Sequence, residues 1–102
     1  MTKIAIIGGG ASGLACAIEL LHNIKDKSQV EVTILEKLPR VGKKILVTGN
    51  GRCNLTNQNA ELSNYHGANP SFMEGVMEQF WVEETLDFFA ELGIVCKTEE
   101  NG

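Results

Sequence analysis

A glycine-rich sequence joins a strand pattern to a helix pattern near the start of the chain. An apolar run leads into Gly8, Gly10 and Gly13, which form a GxGxxG pattern. In this pattern the first glycine permits a tight turn, the second lets the backbone approach a pyrophosphate, and the third lets the helix pack closely on the strand. A helix that opens at Ala11 and Ser12 directs free N–H groups and its positive dipole end toward the phosphates. The spacing therefore predicts a dinucleotide-binding turn.

An acidic residue stands where such a turn needs one. The β-rich run 30–35 is followed directly by Glu36, which lies 23 positions after Gly13. This is close to the roughly 20 positions expected once the polar connector 25–29 is allowed for. Glu36 is placed there to accept hydrogen bonds from a ribose diol. A carboxylate disfavours the 2′-phosphate of NADP, although the neighbouring Lys37 weakens this exclusion. The alternative is a glycine-rich turn in an α/β domain without a ligand.

Length and charge narrow the class of protein. The 102 residues are 43% hydrophobic and 22% charged, which suits one small globular domain and not a two-domain enzyme. The net charge of −4 argues against a nucleic-acid partner, because such a partner requires a basic surface. No apolar stretch reaches the roughly 18 residues of a membrane helix, and the first strand follows Met1 too closely for a signal peptide. We therefore expect a cytoplasmic protein without a membrane partner.

The cysteine spacing gives no sign of a disulfide or of a metal site. Cys16, Cys53 and Cys96 form no CxxC motif and have no histidine at zinc spacing. We therefore expect neither a disulfide nor a metal site.

Helical periodicity follows the glycines. Residues 1–36 are expected to form one βαβ unit with parallel strands. The apolar face of its helix is predicted to contain Leu14, Ala15, Ile18, Leu21 and Ile24, widened by Cys16 and Ala17.

The pattern changes after the second strand. Residues 37–69 are rich in Gly, Asn, Lys and Arg and show little periodicity, which predicts a long loop. A loop longer than about 12 to 15 residues is uncommon unless it is functional.

A helical pair is predicted over residues 70–93. Ser71 and Glu74 form a capping-box pattern at the start of its first helix. The second helix is predicted over 82–92, without a good N-terminal cap and with Gly93 as its left-handed stop. The aromatic residues of this region recur at helical spacing and are interpreted as core rather than as a ligand-binding set: Phe72, Phe80, Trp81, Phe88 and Phe89.

The last segment, 94–102, is predicted to begin a further strand. A complete doubly wound sheet usually needs about 100 to 150 residues, and the second half of this chain does not repeat βαβ units. An unpaired edge strand would be a liability in a finished domain. We therefore expect a fragment of a larger domain.

The segment 48–54, TGNGRCN, is the second motif. Two glycines, two asparagines, a cation and a thiol in seven positions suit a backbone wrapped closely round a flat polar ligand, because Gly and Asn adopt left-handed conformations most readily. The alternative is a β-hairpin through Asn50-Gly51, and both can hold. A Walker A motif is excluded, since GxxxxGK[ST] is absent.

The N-terminal GGGASG, the glutamate of ILEK and above all GKKILVTGNGRCNLTN resemble the HI0933-like family of FAD-binding flavoproteins, also called aminoacetone oxidase-like. The resemblance extends over the whole chain. It implies an α/β, Rossmann-like FAD/NAD(P)-binding fold that is incomplete here: the βαβ unit, the Gly/Asn-rich loop and the helical pair. It also implies a flavin-dependent oxidoreductase with FAD as cofactor and NAD(P)H as a candidate electron donor.

Site residues follow from the resemblance by position. It implies that the pyrophosphate is contacted by Gly8, Gly10, Ser12 and Gly13. It implies that Glu36 contacts the adenosine ribose, with Lys37 beside the adenine end. The residues implied to approach the flavin half are Lys44, Gly49, Gly51, Arg52, Cys53 and Asn54. No catalytic acid or base and no substrate can be named from the sequence.

Other interpretations remain open. The chain could be a truncated, inactive remnant or a weak nucleotide-binding module. It could also be a self-contained NAD-binding domain, which would not need the TGNGRCNLTN block. Arg52 and the neighbouring lysines could form a solvated basic rim. Cys53 could be a redox thiol, since cationic side chains nearby make a cysteine more reactive, but a packing or flavin-contact role is favoured.

Overall fold

The computed structural model describes residues 1–49 and 52–102. The chain divides into two compact units, Met1–Cys53 and Asn54–Gly102. The first unit contains both strands and the longest helix, and the second contains two shorter helices. No helix in the described ranges is both long and apolar enough to cross a membrane.

The first unit is built on a parallel pair of strands. β1, Thr2–Ile7, pairs with β2, Val30–Leu35, in a register that places Ile4 opposite Val32. Residues of both strands alternate between half-buried and exposed, as expected when one sheet face is covered. The helix α1, Ala11–Asn23, connects the strands and packs on both. The predicted βαβ unit with parallel strands is therefore confirmed.

α1 contacts the sheet through a narrower face than the periodicity predicts. Gly13 and Ala17 are its buried residues, and Leu14 and Ile18 are half-buried. Cys16 is exposed, so the prediction that it widens the apolar face is wrong. Leu21, predicted on that face, is 38% exposed as well. The two described strands cover only a narrow strip of the helix, and the flank that carries Cys16 stays in solvent.

The connector between α1 and β2 is held by a local hydrogen-bond cluster. A 3₁₀ turn, Lys27–Gln29, begins after Asp26. The hydroxyl of Ser28 donates to Oδ1 of Asp26 at 2.6 Å, and the Ser28 backbone N–H donates to the same atom at 3.0 Å. These two bonds lower the pKa of Asp26, the hydroxyl bond having the larger effect.

The long segment 37–69 contains, where it is described, only irregular backbone and short 3₁₀ turns such as Ile45–Val47 and Leu62–Asn64. The alternative of a hairpin through Asn50-Gly51 falls on residues outside the described ranges.

The first helix of the second unit begins differently from the prediction. A 3₁₀ turn, Pro70–Met73, precedes α2, Glu74–Gln79. The Ser71 hydroxyl donates to Oδ1 of Asn69 at 2.6 Å, so the expected capping box with Glu74 is not formed. Proline favours the first position of a helical turn because it has no N–H to leave unpaired. Pro70 therefore sets the start of the turn, and Asn69 becomes its N-cap.

The second helix, α3, Val82–Glu91, confirms the predicted element to within a residue. Glu84 accepts a 3.0 Å hydrogen bond from the backbone N–H of Trp81, which supplies the N-terminal cap that the sequence did not suggest. At the other end Gly93 has φ +84°. The N–H of Gly93 donates to the carbonyl of Ala90, and the N–H of Ile94 donates to that of Phe89, both at 3.0 Å. This pair of bonds is a Schellman motif, and the predicted left-handed stop is confirmed.

Two predictions about this unit are wrong. Residues 94–97 form no strand, and Val95 is 95% exposed, because the described part of this unit offers no strand to pair with. Phe72 is 78% exposed and Phe80 is 46% exposed, so neither is core. Phe88 contacts both Phe80 and Phe89 edge-on, with ring centroids 6.3 and 5.2 Å apart, so the aromatic cluster is smaller than predicted.

Candidate dinucleotide site

The glycine turn lies at the carboxyl edge of the parallel strands. Gly8 follows β1 directly with φ +97°, a left-handed conformation that favours glycine. Its N–H donates to the carbonyl of Leu35, the last residue of β2, at 2.8 Å. The chain then passes through Gly10 into α1. Ligands of open α/β sheets bind outside this edge, so the turn is placed correctly for a nucleotide.

Gly13 is required by the packing of the chain on itself. It is buried in the first turn of α1. A Cβ built on Gly13 would overlap the carbonyl oxygen of Gly8 and lie 3.1 Å from the Gly8 carbonyl carbon. Because both atoms belong to the backbone, they cannot rotate away. The third glycine of the motif therefore allows the helix to lie against the end of β1.

At Gly10, in contrast, neither the backbone conformation nor the packing of the described chain requires a glycine. Its backbone is extended, with φ −82° and ψ −167°, a conformation open to any residue. Apart from Gly10 itself and its two neighbours in the chain, no described residue has an atom within 4 Å of the position that a Cβ would occupy there. The chain itself thus gives no steric or conformational reason for glycine at this position. Close approach by a bound group supplies one.

The N-terminus of α1 is suited to an anion. In the described chain no side chain caps this terminus, and its first turn contains no acidic residue. The first N–H groups of a helix have no partner within the helix, and the helix dipole is positive there. Ser12, in this first turn, is exposed. Backbone N–H groups, the helix dipole and an open hydroxyl together form a phosphate-binding donor set.

Glu36 lies beside the glycine turn. It follows β2 at the edge where β1 also ends, since Leu35 pairs with Ile7. The Glu36 Cβ is 3.4 Å from the position that a Cβ on Gly9 would occupy. Glu36 is half-buried and Lys37 is exposed. The structure therefore brings the predicted ribose acceptor to the glycines.

A contact that the sequence analysis missed involves Val41 and Gly42. The Gly42 N–H donates to the carbonyl of Gly9 at 2.7 Å, and Gly42 has φ +70°. The signal was present in the run of three glycines, because the GxGxxG pattern does not account for the middle one. It did not reveal the partner, which is 32 residues further along, at position 41.

The residues implied to approach the flavin half lie on the loop that follows Gly42. Lys44 is exposed. Gly49 has φ +66°, and its carbonyl accepts a 2.8 Å hydrogen bond from the Arg52 N–H. Arg52 and Cys53 have exposed side chains. Gly51 lies outside the described residues, and the boundary between the two units falls between Cys53 and Asn54.

Comparison with known proteins agrees with this geometry. Residues 2–102 match the family described as the HI0933-like protein Rossmann domain. The chain is 51% identical over 98 residues to a 3-dehydro-bile acid delta(4,6)-reductase of Clostridium scindens, covering 96% of this chain and 23% of the relative. It is 34% identical over 97 residues to a ribosomal RNA dihydrouridine synthase of Haemophilus influenzae, covering 95% of this chain and 23% of the relative. A shorter match, 49% over 43 residues, is to a coproporphyrinogen III oxidase of Bacillus subtilis and covers 41% of this chain and 9% of the relative.

The chain belongs to the HI0933-like Rossmann-domain family. The family and the Rossmann-like α/β fold predicted from the sequence are confirmed, and this fold binds dinucleotides. The chain spans less than a quarter of the length of these first two relatives.

Proposed function

We propose that this segment holds the ADP half of FAD in a flavin-dependent oxidoreductase. The observation that supports this most directly is Gly10, where glycine serves neither the conformation nor the packing of the described chain. A pyrophosphate lying against this backbone gives the missing side chain a purpose. The surrounding residues fit the group, because the open helix terminus, the exposed Ser12 and the nearby Glu36 offer donors for phosphate and an acceptor for ribose.

Each residue has a distinct role in this proposal. Gly8 turns the chain out of β1, and the N–H groups at the start of α1 together with the Ser12 hydroxyl donate to the pyrophosphate. The Glu36 carboxylate accepts hydrogen bonds from the adenosine ribose, and Lys37 lies beside the adenine end. The residues proposed to approach the flavin half are Lys44, Gly49, Gly51, Arg52, Cys53 and Asn54.

FAD is favoured over NAD as the resident cofactor by the family and by the loop 48–54, which an NAD-binding domain does not need. When bound, the isoalloxazine would supply the electron transfer, while the protein supplies orientation and electrostatics. One relative is named as a reductase and another as a dihydrouridine synthase, names that fit redox chemistry with NAD(P)H as the proposed electron donor. Since the chain covers 23% of each, neither relative's substrate is transferred to this protein.

The test is the cofactor content of the natural full-length protein. It is expected to purify yellow and to release FAD, identified by chromatography, when it is denatured. Anaerobic titration with NADH and with NADPH then shows which donor bleaches the flavin absorbance. Recovery of FMN alone, or of bound NAD without flavin, would overturn the proposal.

A further inference from the structure

Gly9, the middle residue of the three consecutive glycines, is buried against a later part of the chain. Its φ is not among the left-handed values of the described glycines, so its conformation does not require glycine. A Cβ at this position would lie 2.7 Å from Cγ1 of Val41 and 3.1 Å from Cβ of Val41. Contacts under 3.0 Å are not made by real Cβ atoms. The absence of a side chain at Gly9 therefore lets Val41 lie directly on the glycine turn.

Hydrogen bonds hold the same segment in place. The Gly42 N–H donates to the Gly9 carbonyl at 2.7 Å, and the Ile45 N–H donates to the Gly42 carbonyl at 3.1 Å. A Cβ on Gly42 would be 3.6 Å from Cδ1 of Leu14, so this turn also lies against α1. We call the contact of Gly9 with Val41 and Gly42 the clamp.

The clamp fixes the backbone position of a turn that contains two lysines. Lys43 and Lys44 are the two central residues between Gly42 and Ile45, and both are exposed. The Cα of Lys44 is two residues from that of Gly42, hence within about 7.6 Å of it. A lysine side chain is long and flexible, but its range is set by where its backbone is anchored. The backbone that carries the two ammonium groups is thus joined through the clamp to the phosphate-binding turn.

We propose that Gly9 is a positioning residue, which by admitting Val41 holds the Lys43–Lys44 turn where the cofactor's pyrophosphate joins its flavin half. This inference rests on the proposed function. It differs from a purely structural role for Gly9, because it makes the cofactor affinity depend on Gly9 through the lysines.

The test compares FAD affinities of the natural full-length protein and its variants, measured by titrating apo-protein. Gly9→Ala adds the clashing methyl group and is expected to weaken FAD binding on the order of tenfold, the effect of a typical overpacked contact. Val41→Ala alone is expected to change affinity less than about threefold. Combining the two removes Cγ1 and leaves the 3.1 Å contact, which a shift of a few tenths of an ångström relieves. The double variant is therefore expected to bind within about threefold of the wild type.

A lysine background separates positioning from general damage. In a protein carrying Lys43→Gln and Lys44→Gln, the additional effect of Gly9→Ala is expected to fall below about threefold, because the groups it positions are gone. A structural defect would weaken binding equally in both backgrounds. Gly75→Ala serves as the matched control, since no described atom lies within 4 Å of a Cβ there.

Each outcome decides the proposal. Unchanged affinity in Gly9→Ala, a full tenfold loss in the lysine background, or no recovery in the double variant would overturn it. If Gly9→Ala is insoluble, the double variant is still expected to fold and bind FAD. If the double variant also fails to fold or to bind FAD, the clash with Val41 is not the cause of the defect and the proposal is overturned. A wild-type protein that binds no FAD would overturn the proposed function and this inference together, whereas the other outcomes leave the proposed function standing.

Discussion

Replacing Gly13 by alanine tests the packing at the start of α1. The added Cβ would overlap the carbonyl oxygen of Gly8, with the Gly8 carbonyl carbon 3.1 Å away and Cγ2 of Ile6 3.5 Å away. The last distance is an ordinary contact and costs nothing. The first two involve backbone at the tight turn after β1, so relief requires the helix to move away from the strand.

Two opposing effects set the magnitude. Overpacking a closely packed site typically costs about 1–3 kcal/mol, and an overlap with backbone belongs at the upper end of this range. Alanine is a better helix former than glycine by about 1 kcal/mol. The steric cost is larger, so Gly13→Ala is expected to lower the free energy of unfolding by roughly 2 kcal/mol.

The matched control is Gly75→Ala in α2. The same change of residue is made inside a helix, but no described atom lies within 4 Å of the new Cβ. Only the helix-propensity gain of up to about 1 kcal/mol applies. Urea unfolding of the FAD-free protein is followed by circular dichroism. The free energies of unfolding of the two variants should differ by about 3 kcal/mol, with Gly13→Ala below the wild type and Gly75→Ala above it. If Gly13→Ala is as stable as the wild type or more so, α1 does not pack on the glycine turn as described.

Further predictions concern the ligand, a local turn and the isolated segment. Gly10→Val should abolish FAD binding without lowering the melting temperature of the apo-protein, and retention of stoichiometric FAD would refute the placement of the pyrophosphate. Glu36→Ala should weaken FAD binding by roughly 1.5–3 kcal/mol, about tenfold to a hundredfold, in apo-protein titrations, and an unchanged dissociation constant would place the ribose elsewhere. The pKa of Asp26 is lowered from its ordinary 3.8, so its stabilising bonds with Ser28 are present above this value and are lost as the pH falls through the lowered pKa. Asp26→Ala should accordingly reduce the melting temperature slightly at pH 7 and not in strong acid, and a difference that persists in acid contradicts this cause. Residues 1–102 expressed alone should show a weak melting transition or self-associate in size-exclusion chromatography, because Ala17, 8% exposed, is the one buried hydrophobic residue among those described and Ile7 is 80% exposed. A monomer whose cooperative transition FAD raises by several degrees would contradict this.

The elements that the sequence predicted well depend on neighbours in the chain. β1, α1 and β2 follow from apolar periodicity and glycine positions within 36 residues. The end of α3 follows from Gly93, whose left-handed conformation closes hydrogen bonds with residues only three to five positions away. Such features are set by local sterics and hydrogen bonding, which a single sequence contains in full.

The errors concern features that depend on distant partners. A β-rich sequence at 94–97 forms no strand without another strand to pair with, and Phe72 is exposed although its spacing is that of a core residue. The clamp was missed for the same reason. Gly9 occupies an unspecified position of the GxGxxG pattern, and its partner Val41 lies on a loop with no periodicity that would predict its path.

The glycines of the motif respond to different physical demands, and this changes what a GxGxxG match can prove. A ligand-free turn between a strand and a helix would still need Gly8 for its left-handed backbone and Gly13 to admit the helix. It would also keep Gly9 wherever a later loop packs on the turn. None of these positions therefore distinguishes a nucleotide site from a tight turn in an α/β domain. Gly10 does, since its extended backbone and open surroundings would accept a side chain in the described structure. Among the glycines of the motif, Gly10 is therefore the one that argues for a bound dinucleotide, and substitution at Gly10 is the measurement that separates the two interpretations.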